Sequence, residues 1–170
     1  DYNFTIVLSH FKGHPMAGFG GALKNMGIGI QSREGKAWVH SAGKHDDPNK
    51  LWGDGMPAQD DFLETMAEAA KAITDYAGDR ILYINVANNL SVDCDCVAHP
   101  APVQMADIGI FASLDPVAVD RACVDAVKAS PDHGKIHLEE RMASRDATHV
   151  LDYAEQLGMG TQKYVLVTIE

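Results

Sequence analysis

Runs of apolar and β-branched residues predict four strands along the chain. Polar or glycine-containing segments bound these runs, as is typical of strands. The third run, DIGIFASLD, is apolar throughout, which indicates an interior parallel strand. The predicted strands cover residues 2–10 (YNFTIVLSH), 80–88 (RILYINVAN), 107–115 (DIGIFASLD) and 163–170 (KYVLVTIE).

Apolar residues at helical spacing predict helices between these strands. The clearest helix lies within residues 57–78, where Phe62, Met66 and Ile73 fall on one face and Gly78 follows the end. Residues 41–58 are rich in Gly, Pro, Asp and Asn, and we expect a loop there. Three further helices are predicted, a short one within 20–30, one within 115–130 with Asp115 as its N-cap, and one within 146–160.

Strands that alternate with helices predict an α/β fold. We expect a single domain over residues 1–170, with a mostly parallel or mixed sheet flanked by helices. In such sheets ligands bind beyond the carboxyl ends of the strands. Polar loops at 9–21, 88–104 and 113–116 each follow a predicted strand. We therefore expect the unusual chemistry of the chain to converge on one edge of the sheet.

Charge, hydropathy and cysteine content limit the partners and the compartment that we expect for this chain. The 170 residues carry a formal charge of -10, which argues against nucleic acid. No apolar run is long enough to span a membrane. Three cysteines with a C-x-C pair do not suggest a secreted disulfide framework, so we expect a reducing cytoplasm. The oligomeric state is open, and the start at Asp1 is compatible with a piece of a longer protein.

Residues 9–36 depart from this acidic background. They hold seven of the 15 glycines together with basic side chains and two histidines. Glycines let a backbone approach a ligand closely, and a helix that starts after them can bind an anion through its N–H groups. The alternative is a tight strand-to-helix crossover with solvated basic residues. The predicted binding residues for a small-molecule or anionic ligand are Gly18, Gly20, Gly21, Lys24, Arg33 and Lys36.

Cysteines and histidines form a second candidate constellation. In the extended stretch VDCDCVAHP, alternate residues point the same way, so Cys94 and Cys96 aim at one point while Asp93 and Asp95 aim elsewhere. Thiolates and imidazoles together favour zinc or iron, as a single ion or an iron–sulfur cluster. The alternative is inert thiols and ordinary loop histidines. The predicted metal ligands are His10, His14, His40, Cys94, Cys96 and His99.

Other polar residues fit simpler roles. Pro15 disfavours a helix at His14, so His10 and His14 do not form a helical zinc motif. Cys123 lies on an apolar helix face, and we expect it to be a core residue. Surface positions are predicted for the HDD stretch at 45–47 and for His133 and His137.

Three segments resemble the family of uncharacterised iron–sulfur-centre proteins called domain of unknown function 362. They are SHFKGHPMAGFGGALKNMGIGIQSREGK, VDCDCVAHPAPVQMADIGIFASLDPVAVDRACVDAV and VLDYAEQLGMGTQKYVLVTI. Many members carry a ferredoxin-type insertion with repeated C-x-x-C spacing. This chain has residues 41–78 at that place, without a cysteine. The resemblance implies a metal centre. In this chain the metal would have to be held by Cys94, Cys96 and histidines.

HPMAGFGGALK is similar to the glycine-rich stretch of the lactate racemase family. In that family a lysine holds a nickel pincer cofactor and a later histidine binds the metal. Carried over to this sequence, the similarity implies roles for His14, Lys24 and His40, with His14 and Lys24 as catalytic candidates.

Three functions follow as hypotheses. The first is a metal-binding protein that holds iron, zinc or an iron–sulfur cluster, with a possible redox role. The second is a racemase- or isomerase-like enzyme that acts on a small hydroxy acid with a metal cofactor. The third is a non-catalytic module that binds a small anion. No catalytic triad is visible in the sequence, so whether the chain is an enzyme stays open.

Overall fold

The strands follow the apolar runs of the sequence in a computed structural model that describes residues 2–50 and 56–169. Strand β1 (Thr5–His10) and a later parallel neighbour, β4 (Ile81–Ala87), lie side by side, and β4 pairs antiparallel with β5 (Gly109–Ser113). A separate antiparallel pair joins β2 (Lys12–His14) to β3 (Gly18–Gly20). The predicted α/β fold with a mixed sheet is confirmed.

Six α-helices accompany the strands within the described residues. The predicted N-cap is confirmed, because Asp115 accepts hydrogen bonds from the N–H groups of Val117 and Ala118. Two short helices were not predicted, because each buries only two side chains and leaves little apolar pattern. The helices are α1 (Ala22–Lys24), which runs into a π-helical turn (Asn25–Gly29), α2 (Arg33–His40), α3 (Gln59–Ala77), α4 (Pro116–Ala129), α5 (Lys135–Ala143) and α6 (His149–Gln156), with a 3-10 turn at Pro48–Lys50.

The core lies between one face of the sheet and the helices. Val7 and Tyr83 on this face are buried, and α1 and α4 pack against β4. On the opposite face Ile6 and Leu8 stay exposed. Helix α3 packs against α6 and the π-helical turn. Among the described residues, the helices are all too short or too polar to cross a lipid bilayer.

The structure corrects the prediction for the third strand. Strand β5 runs antiparallel to β4 and lies at an edge of the three-stranded sheet. The chain between the two strands contains no described helix, so it turns back directly instead of crossing over. The end of β5 therefore lies opposite Tyr83, near the start of β4. We expected the loop at 113–116 to lie beside the loops at 9–21 and 88–104. It lies instead at the opposite end of the sheet.

The predicted strand at 163–170 is also corrected over its described part. Residues 163–169 form no strand, although their apolar and β-branched side chains favour one. A strand needs a hydrogen-bonded neighbour, and a groove of about 760 Å³ separates this segment from β5. Val165 and Ile169 are about nine-tenths exposed.

Candidate metal centre

A cavity of about 830 Å³ opens where the loop after β1 meets the loop after β4. The β2 strand, the π-helical turn and α2 complete its walls. Two of the three polar loops therefore converge, as predicted, at the carboxyl ends of two parallel strands. The predicted residues that line the cavity are His10, His14, Gly20, Gly21, Lys24, Lys36, His40 and Cys96.

His14 and Cys96 line this cavity, and the buried Cys94 lies beside them. One potential ligand atom from each residue lies within 4.8 Å of the others, an arrangement that could hold a metal ion. His14 and Cys94 are buried, whereas Cys96 is exposed. Of the early histidines that we predicted to approach the two later thiols, His14 alone is in this group of described residues.

Gly13 allows the two segments to approach so closely. Its N–H donates to the Ser91 carbonyl at 2.8 Å. A Cβ atom at this position would lie 2.4 Å from the backbone oxygen of Val92, well inside van der Waals contact. The backbone of β2 therefore packs directly on the 91–92 backbone, which places His14 beside Cys94.

Hydrogen bonds fix the loop that carries the cysteines. The Asp93 carboxylate accepts from the Ala101 N–H at 3.0 Å and faces Arg141 at 3.4 Å. The Ser91 hydroxyl donates to the Ala101 carbonyl at 2.8 Å. The carboxylate of Asp93 thus closes the loop, whereas Asp95, which we predicted to aim away from the sulfurs, lines the same cavity as Cys96.

The hydrogen bonds of His14 define its protonation. Its Nδ1 accepts from the backbone N–H groups of Met16 at 3.2 Å and Ala17 at 3.0 Å. A backbone N–H can only donate, so the hydrogen of the neutral ring must sit on Nε2. Burial, together with the nearby charges of Lys24 and other basic groups, lowers the pKa of His14 to about 3. His14 therefore offers the cavity an N–H donor.

Lys24 and Cys96 favour the thiolate form of Cys94. Burial acts to raise the pKa of Cys94, but hydrogen bonds from Cys96 and the charge of Lys24 bring it below its ordinary value. The Lys24 ammonium lies 3.6 Å from Cys94 Sγ, and the Cys96 N–H lies 3.4 Å from it. Burial raises the pKa of Cys96, and the neighbouring Cys94 raises it further. Of the two thiols, Cys94 is therefore the one poised to bind a metal as a thiolate.

The contacts of His10 disfavour it as a metal ligand. Its Nδ1 lies 3.0 Å from Asp95 Oδ2, and its Nε2 lies 2.6 Å from the Asn88 carbonyl oxygen. Both ring nitrogens are thus occupied by contacts with protein oxygens, and neither is left open to a metal beside the sulfurs. Lys12 binds the same Asp95 oxygen at 2.8 Å.

His40 faces the same cavity in the opposite tautomer to His14. Its Nδ1 lies 2.6 Å from the Lys36 carbonyl oxygen and must donate to it. The lone pair of the neutral ring is therefore on Nε2, which is the usual arrangement for a histidine that binds a metal. Burial lowers the pKa of His40, and Lys24 and Lys36 lower it further. His40 is not within 4.8 Å of the three-residue group.

Asp120 occupies the helix start that we predicted to bind an anion. Its carboxylate accepts from the N–H groups of Ala22 at 2.7 Å and Leu23 at 3.0 Å. A Cβ atom on Gly21 would lie 2.4 Å from this carboxylate, so the glycine accommodates Asp120. The helix N–H groups are thus satisfied within the protein, which corrects the predicted mechanism of anion binding.

Other predicted residues lie away from the centre. Gly18 adopts a positive φ of 79° and packs against Ala147. Arg33 and His99 are exposed and do not line the cavity. Cys123 is fully buried, as predicted for a core residue. His133 and His137 are exposed, as predicted.

Three residues with roles at or near the site were not predicted from the sequence. Lys12 carried a usable signal, because His10, Lys12 and His14 alternate along an extended segment and share one face. Asn25 donates to the Leu8 carbonyl oxygen at 3.0 Å and ties the π-helical turn to β1. Asp120 gave no signal, because its partners lie nearly 100 positions earlier in the chain.

A family comparison agrees with the resemblance noted in the sequence. The family model described as Domain of unknown function (DUF362) matches residues 1–125, which include all the residues of the cavity. The chain belongs to this family. No curated protein and no solved structure matches the chain. Membership of the family therefore assigns no activity, and the function has to be argued from the site.

Proposed function

We propose that this chain is a metal-binding domain whose ion is held by the thiolates of Cys94 and Cys96 beside the cavity. The observation that carries the proposal is the approach of His14, Cys94 and Cys96 to within 4.8 Å. His14 comes from a segment about 80 residues before the two cysteines, and His14 and Cys94 are buried whereas Cys96 is exposed. Two neighbouring thiols form a donor pair that suits a soft or borderline cation.

We assign His14 a supporting role. Because its Nδ1 accepts two backbone hydrogen bonds, Nε2 carries a hydrogen, and we propose that on metal binding this N–H forms a hydrogen bond to one of the sulfurs, which lie within 4.8 Å of a ring nitrogen. Such a hydrogen bond stabilises negative charge on a thiolate and orients it for the ion. An ion held by the two thiolates would be accessible to a ligand in the cavity, because Cys96 lines it.

A single Zn²⁺ or Fe²⁺ ion fits these residues better than an iron–sulfur cluster. Clusters are usually held by four thiolates. The chain has three cysteines, and Cys123 is buried away from the cavity. The three free thiols are also consistent with a reducing cytoplasm, which we keep as part of the proposal.

Metal analysis tests the proposal. Protein purified without oxygen should contain close to one zinc or iron ion per chain. Cobalt loading should give the intense absorption of a cobalt–thiolate bond. Both signals should be lost in Cys94→Ser and Cys96→Ser and kept in Cys123→Ala. Metal-free wild-type protein with no cobalt–thiolate band would overturn the proposal.

A second candidate is proton transfer by an isomerase-like enzyme. Two neutral imidazoles line one cavity in opposite tautomers, so His14 can donate a proton where His40 can accept one. Lys24, to which the racemase similarity gives a cofactor, instead donates to Cys94. Loss of optical rotation by (S)-lactate in the presence of the metal-loaded protein would support this candidate. If the wild type and His40→Gln racemise (S)-lactate at the same rate, proton transfer by His40 is excluded for that substrate.

A further inference from the structure

The cavity is positively charged, although the molecule as a whole is negatively charged. The chain has a formal charge of -10, yet three lysines and one carboxylate line this cavity. Lys12 is neutralised locally, because it binds Asp95 at 2.8 Å and its side chain is only 11% exposed. The charges of Lys24 and Lys36 are therefore those that the cavity presents to a ligand.

Lys24 and Lys36 reach the cavity from different elements. Lys24 ends α1 and lies beside the Cys94 thiol, while Lys36 stands on α2 one turn before His40. Among the described residues, Lys36 forms no ion pair with a carboxylate. Two ammonium groups that line one cavity favour a bound anion, because each of them attracts its negative charge.

Part of the remaining lining is apolar. Met16, Ile28 and Val97 lie among the lining residues. An inorganic ion would leave these side chains in contact with water, whereas an organic ligand would cover them. A volume of about 830 Å³ lies within the range of small-molecule sites.

We propose that the cavity binds a small organic carboxylate, with its carboxylate group held by Lys24 and Lys36 and its apolar body packed on Met16, Ile28 and Val97. The substituent next to the carboxylate faces Cys94 and Cys96. Contact of that substituent with a metal rests on the proposed function, whereas recognition of the carboxylate does not.

Calorimetric titration with three probes separates these two parts. The probes are 4-methylpentanoate, its neutral amide 4-methylpentanamide, and 2-hydroxy-4-methylpentanoate, whose hydroxyl and carboxylate together can chelate a metal. Metal-free protein should bind 4-methylpentanoate at least tenfold more tightly than the amide. Lys36→Gln should remove this preference, while Lys44→Gln, which changes an exposed lysine outside the cavity, should keep it.

The third probe, 2-hydroxy-4-methylpentanoate, tests contact of the ligand with the metal. The 2-hydroxy acid should gain affinity over 4-methylpentanoate only in metal-loaded protein, and Cys94→Ser should lose that gain while it keeps the preference for carboxylate. Equal binding of acid and amide, or a preference that survives Lys36→Gln, would overturn the carboxylate site. Inorganic phosphate that binds as tightly as 4-methylpentanoate would overturn its organic character. A carboxylate preference without any metal-dependent gain would leave the site in place and count against the metal contact alone.

Discussion

The chemistry of each histidine at the cavity is decided by what faces its two ring nitrogens. His10 faces two acceptors, His14 faces two backbone donors, and His40 faces one carbonyl. These contacts occupy both nitrogens of His10, and they make His14 an Nε2–H donor and His40 an Nε2 acceptor. The sequence could identify the three residues as candidates but could not separate their roles, because the partners are mostly backbone groups brought together by the fold.

Replacement of His14 should weaken metal binding without abolishing it. In His14→Gln we expect a roughly 10-fold to 100-fold loss of affinity for Zn²⁺, which is typical of a residue that supports a ligand. In Cys94→Ser the loss should be larger, because a ligand itself is removed. Competition with a chromogenic zinc chelator measures all these affinities.

His99 provides a matched control for this experiment. It lies in the same cysteine-containing loop but is exposed and outside the cavity, so His99→Gln should bind Zn²⁺ as the wild type does. If His14→Gln loses as much affinity as Cys94→Ser, His14 is a ligand in its own right. If it loses none, the hydrogen bond that we assign to it is absent.

Close contact between β2 and the loop after β4 assembles the centre. A methyl group at position 13 would collide with the Val92 backbone, and neither partner is a flexible side chain that can move aside. We expect Gly13→Ala to lower the free energy of unfolding by about 1–3 kcal/mol, as overpacking does. It should also weaken Zn²⁺ binding, because His14 and Cys94 are pushed apart. Urea denaturation and the chelator competition check the two effects, and an unchanged metal affinity would count against this role of Gly13.

Asp120 ties three elements together from inside the core. On α4, it accepts from the start of α1 and from the Asn85 side chain of β4 at 2.7 Å. Burial outweighs these hydrogen bonds and raises the pKa of Asp120 from 3.8 to about 6. Between these two pH values the folded state therefore binds the proton more tightly than the unfolded chain. The contribution of this group to the free energy of unfolding is highest below pH 3.8 and is lost as the pH rises through about 6.

Asp120→Asn isolates this titration from that of all other groups. The free energy of unfolding of the wild type, minus that of Asp120→Asn, should fall by about 1 kcal/mol from pH 5 to pH 7. Urea denaturation at several pH values measures it, and the other titrating groups cancel because both proteins carry them. A difference that stays constant, or rises with pH, would show that the pKa of Asp120 is not raised.

The long elements could be predicted from the sequence because their patterns are local. Helix α3 repeats its apolar side chains over 19 residues, and β4 alternates buried and half-buried positions. The short helices α2 and α5 and the β2–β3 pair depend on contacts with distant elements, so their sequences carry little pattern. Cys94 and Cys96 lie close together, as predicted, but in a turn closed by the Val97 N–H and the Cys94 carbonyl oxygen and not in the extended segment that we expected. Their partner Lys24 is placed by tertiary packing.

The direction of β5 and the fate of the C-terminal segment are properties of the whole molecule. An apolar run predicts a strand but does not identify its neighbour, and a strand forms only where a neighbour is available. Strand β5 found an antiparallel partner in β4, while residues 163–169 lie across a groove from β5 without one. Exposed apolar positions such as Ile6, Leu8 and Ile110 show that one face of the sheet is not covered by the described residues.

Bound metal should stabilise the entire fold, because the centre joins the loops that follow β1 and β4. A ligand present at 100 times its dissociation constant adds about 2.7 kcal/mol to the free energy of unfolding if the unfolded chain does not bind it. For a chain of this size, that corresponds to a rise in Tm of roughly 5–10 °C.

Differential scanning calorimetry with Zn²⁺ and with a chelator measures this shift. Cys123→Ala is the control, because it changes a buried thiol away from the cavity, and its Tm should still rise with Zn²⁺ even if its metal-free Tm is lower. Cys94→Ser and Cys96→Ser should show no rise. An equal rise in Cys94→Ser and the wild type would mean that the stabilising ion binds elsewhere, since the two proteins differ only at the sulfur that we assign to the metal.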